Sequence, residues 1–64
     1  RLMVEFERKI KMKLIAYYHR EGTDYVFTAR YLSQRSGFTK VCKSVGEMTD
    51  LTREISANPN KFGL

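Results

Sequence analysis

With one cysteine, Cys42, and one histidine, His19, this 64-residue chain can close no internal disulfide and build no zinc site of the usual ligand count. That lack of any staple is the tightest constraint on its fold. A domain of this length buries only about 60% of the surface its unfolded chain exposes. Small domains commonly add disulfides or metals to make up the difference. Here stability has to come from one compact core, or from a second copy of the chain. The single thiol fits a reducing compartment.

Apolar spacing comes next. In "VEFERKIKMKLIAYYHREG", Met3, Phe6, Ile10, Leu14 and Tyr17 recur three or four apart, which places them on one face of a predicted helix. Glu5 and Glu7 at its start and His19 and Arg20 at its end suit the helix dipole. The pairs Glu5 with Lys9 and Glu7 with Lys11 add support at four-residue spacing. Gly22 supplies a left-handed stop. Lys9, Lys13 and Arg20 line one flank, while Met12 and Ile15 project from the far side as a surface for homodimer contact.

"DYVF" reads as a strand of about three residues or an extended link, since its aromatic and β-branched run is too short for a helix. Thr28 then caps a second predicted helix, about 28–36, with Ala29 and Leu32 inward and Arg30 and Gln34 outward. Gly37 ends it. Thr39 caps a third, about 39–56, with Val41, Val45, Met48, Thr52 and Ile55 on one face and Cys42 and Leu51 beside them. Pro59 disfavours helical geometry at Asn58, so this helix stops near Ala57. "NPNKFGL" reads as a turn into an extended segment.

Two helices joined through Gly37 have the spacing of a helix-turn-helix, with Ala29 small at the crossing and Leu32, Phe38, Val41 and Val45 filling the wedge. The third helix then shows Thr39, Lys40, Lys43 and Ser44 outward at its start and Glu47, Asp50 and Glu54 farther along. Docking of this motif sends the start of its second helix into the major groove, so the charge gradient points the basic end at DNA. Charge along the chain agrees. Residues 1–20 carry six basic and two acidic side chains, residues 21–45 four and two, and residues 46–64 two and three. The net charge of +5 favours polyanionic partners.

On these segments, "TARYLSQRSGFTKVCKSV" above all, the chain resembles a winged helix-turn-helix DNA-binding domain of the compact kind found in prokaryotic and especially archaeal transcription factors. The resemblance implies a mainly α, three-helix domain over residues 1–64, with a short strand before the second helix and a wing cut off after Leu64. It implies sequence-specific binding of double-stranded DNA in transcription regulation, as a homodimer. Thr39, Lys40, Lys43 and Ser44 would read bases. Arg30, Gln34, Arg35, Lys9 and Lys13 would hold phosphates.

Two rival readings stay open: a protein–protein interaction module, and a basic RNA-binding domain. Enzymatic chemistry has no support, because Ser33, Ser36 and Ser44 lack a base and Cys42 lacks a partner constellation. No cofactor, metal or small-molecule substrate is expected. No apolar run reaches the roughly 18 residues of a membrane span, and no signal-peptide pattern is present, which suggests a cytoplasmic protein.

Overall fold

The computed structural model describes residues 2–7 and 13–64, with the backbone alone for residues 3–7. The chain runs β1 (Leu2–Glu7), β2 (Lys13–Glu21), β3 (Asp24–Tyr31), β4 (Phe38–Cys42) and α1 (Val45–Ala57), then a 3-10 turn at Pro59–Phe62. The strands form one antiparallel meander in the order β1-β2-β3-β4. This overturns the mainly α, three-helix expectation. β2, β3 and β4 carry the core, β1 extends the sheet, and α1 is the only α-helix among the described residues.

The segment expected to be the first helix is instead two strands, as far as it is described. Leu14 and Tyr17, placed on one helical stripe, lie on opposite faces of β2. Leu14 is wholly buried under α1, whereas Tyr17 is half-exposed on the other side. Local ion pairs and helical spacing favoured a helix, but "YYHREGTDYVFTARY" is rich in aromatic and β-branched residues that gain more from cross-strand contact. Gly22 does adopt a left-handed backbone, φ 63°, yet it serves a two-residue hairpin loop with Thr23 between Glu21 and Asp24. A helix stop and a primed hairpin turn make the same demand on that residue.

The second predicted helix, about 28–36, is the rest of β3 and the loop after it, and Thr28 sits mid-strand. The first part of the third predicted helix, 39–42, is β4. The helix begins later: Ser44, not Thr39, caps it, its side-chain oxygen accepting from the Glu47 N–H at 3.2 Å. Its end at Ala57 agrees with the stop expected from Pro59. The tail forms the 3-10 turn rather than an extended segment or the first strand of a wing.

Helix α1 covers one face of the sheet. Met48, Leu51 and Ile55 meet Leu14 and Ala16 of β2, Phe27, Ala29 and Tyr31 of β3, and Cys42 of β4. Phe38 and Phe62 close one end edge-to-face, 5.0 Å between ring centres, and the Tyr31 hydroxyl donates to the Leu64 carbonyl oxygen at 3.0 Å. Gly37 is needed for space and not to aim a helix. A Cβ there would lie 2.3 Å from the Ala29 carbonyl oxygen and 2.5 Å from the Arg30 Cβ. Only glycine lets the chain enter β4 so close to β3.

Candidate nucleic-acid interface

Alternation along the strands gives the sheet a second face, which no helix covers among the described residues. In register across β2, β3 and β4 it carries the rows Ile15–Arg30, Tyr17–Thr28–Thr39 and His19–Val26–Val41. The middle row is a line of hydroxyls. Thr28 and Thr39 oxygens lie 3.4 Å apart, and the Tyr17 hydroxyl accepts from Arg30 Nε at 3.0 Å. Val41, expected in the core, is 52% exposed on this face. Ile15, expected to project as a dimer surface, is buried on β2, and its proposed companion Met12 lies outside the described residues.

The residues expected to read bases from one helix are distributed differently. Thr39 is on the open face of β4, and Lys40, in register with Phe27, stays exposed because β4 is an edge strand. Lys43 lies just beyond β4 and donates to Asp24 at 2.8 Å, which pushes its ammonium pKa above the ordinary lysine value. That pair is exposed, so its net worth is small and the lysine can exchange partners. Ser44 is committed to capping α1.

Of the expected phosphate contacts, Gln34 and Arg35 are exposed in the loop between β3 and β4, and Lys13 is exposed at the start of β2. Lys9 lies outside the described residues. Arg30 faces inward to its own chain. Besides the Tyr17 hydroxyl, it donates from Nη1 to the carbonyl oxygens of Tyr31 (3.2 Å), Leu32 (3.3 Å) and Gln34 (2.9 Å). Its guanidinium carbon lies 5.6 Å from the centre of the Tyr17 ring. The sequence reading missed Tyr17 and Val41, having assigned both to the core. A period-two reading of "FTKVC" would have placed Val41 beside Thr39.

Charge differs along the chain. Residues 13–43, which form β2 to β4 and their loops, hold six basic and two acidic side chains. Residues 44–64, with α1, hold two and three. Within the sheet, Arg35, Lys40 and Lys43 follow β4 at one edge. The β4 edge is therefore a basic side that suits a polyanion.

Other chemistry finds little here. Cys42 is buried, and burial, followed by the neighbouring Glu47 carboxylate, raises its thiol pKa, which disfavours the reactive thiolate. Among the described residues no three metal-binding side chains cluster, and no helix is long and apolar enough to cross a membrane. No protein-family model, curated protein or solved structure matches the chain.

Proposed function

We propose that the domain binds double-stranded DNA in a sequence-dependent manner, presenting the β3–β4 edge of its sheet and not a recognition helix. The observation that carries this reading is the run of cations along one edge strand: Arg35, Lys40 and Lys43 follow β4, and of the acidic residues on α1 Glu47 alone lies close to them. Dimensions favour edge-first entry. Paired strands lie about 4.8 Å apart, and a major groove about 12 Å wide admits two strands but not a flat four-stranded sheet.

In that pose Arg35 and Lys43, beyond the two ends of β4, and Lys40 on its edge meet phosphates and supply most of the affinity. Thr28 and Thr39 offer hydroxyls able to donate or accept at base edges, and Val41 offers methyl groups to a thymine methyl. The reading is of a binding module, with no chemical step assigned.

Fluorescence anisotropy with a labelled random duplex between 50 and 200 mM salt tests it. Three phosphate contacts predict that log K falls against log salt with a slope of about −3. Duplex binding that is absent at low salt, or that structured RNA displaces at lower concentration than duplex does, overturns the reading.

A further inference from the structure

Arg30 donates four hydrogen bonds to groups of its own chain. Its Nη1 gathers three carbonyl oxygens from Tyr31, Leu32 and Gln34, and its Nε holds the Tyr17 hydroxyl. The loop it gathers is fixed at three further points. The Leu32 N–H donates to the Lys13 carbonyl at 2.8 Å, and the Gln34 N–H to the Tyr31 carbonyl at 2.9 Å. At its far end Gly37 lies against the Ala29 carbonyl and the Arg30 Cβ. Arg35 stands exposed between these anchors.

We propose that Arg30 is a positioning residue for the DNA interface: it does not touch phosphate, and it fixes the β3–β4 loop so that Arg35 does. The proposal rests on the duplex-binding reading above. Its chemistry is specific to a guanidinium. A planar fork reaches a hydroxyl on one side and several carbonyls on the other, whereas an ammonium is a single point on a flexible stem. A loop ordered before binding loses less entropy when its arginine meets a phosphate.

The test is a double-mutant cycle on duplex binding with R30K, R35A and the double variant, each measured across a salt series. Arg35→Ala removes one phosphate contact and should reduce the salt slope by about 0.9. Arg30→Lys keeps the charge but releases the loop. It should weaken binding by about tenfold, reduce the slope by a similar amount, and add little when Arg35 is already alanine, as coupled residues do. Amide hydrogen exchange at residues 32–37 should accelerate in Arg30→Lys while α1 amides keep their protection, which separates a loosened loop from an unfolded domain. If Arg30→Lys binds as wild type does, or if the two losses simply add, the positioning role is overturned while duplex binding stands. If α1 loses protection together with the loop, Arg30 is a general fold determinant and the proposal fails. A wild-type protein without salt-dependent binding removes both readings together.

Discussion

Adjacent residues on β3 do opposite work. Phe27 is wholly buried under α1, while Thr28, one position on, faces away and shares its environment with Thr39 and water. The same alternation runs through Ala29 and Arg30. One face of the strand holds the domain together, and the other presents hydroxyls and an internally satisfied arginine. Among the described residues the core lies on the α1 side, with Ile15 of β2 the buried residue of the other face, so most of that second face can be polar and carry function.

Substituting the two neighbours separately gives the largest contrast. Phe27→Ala removes the largest wholly buried side chain and should cost about 3–5 kcal/mol, comparable to the whole stability of a small domain. Thr28→Ala should stay within about 0.5 kcal/mol. Urea denaturation followed by circular dichroism measures both, and equal losses would break the two-face account.

Two glycines sharpen it at a smaller scale. Gly37→Ala forces a methyl group onto the Ala29 carbonyl, backbone that cannot move aside, and should cost about 1–3 kcal/mol. Gly46→Ala sits near the start of α1, where the nearest atom to an added Cβ is the Ser44 Oγ at 3.9 Å. It should stabilise by about 0.5–1 kcal/mol, because alanine is the better helix former and nothing clashes. The same denaturation curves report both, with midpoints moving in opposite directions.

The smallest effect is a pH dependence. The Cys42 thiol, buried on the covered face, and the Lys43 ammonium, held by Asp24, both have pKa values raised on folding. Each therefore contributes stability below its unfolded pKa and loses it as pH rises through its folded one. Thermal melts should fall on the alkaline side in the thiol range, with at most a small further loss from the exposed Lys43 pair. Cys42→Ser should flatten the fall in the thiol range.

Part of this organisation was legible in the sequence. The end of α1 was set by Pro59, and the left-handed demand at Gly22 was visible although its element was not. The residues expected to read DNA were chosen for charge and polarity, which do not depend on helix or strand. Of the four, Thr39 and Lys40 lie on β4 and Lys43 just beyond it, while Ser44 caps α1. What failed was periodicity. "KLIAYYHRE" satisfies a three-to-four spacing and an alternation at once, and only long-range pairing with "DYVFTARY" decides between them. Arg30 misled for a different reason: an arginine spent on its own backbone carbonyls carries no mark in the sequence.

The central claim is that the sheet edge, and not the helix, meets the polyanion. Its most direct test compares the salt dependence of duplex binding for two variants of the same domain. One carries Arg35→Ala, Lys40→Ala and Lys43→Ala; the other carries Arg53→Ala and Lys61→Ala. The account predicts that the first lowers the slope of log K against log salt by about 2–3 while the second leaves it near the wild-type value. A slope unchanged in the first and reduced in the second would place the interface on α1 and the 3-10 turn after it, and contradict it.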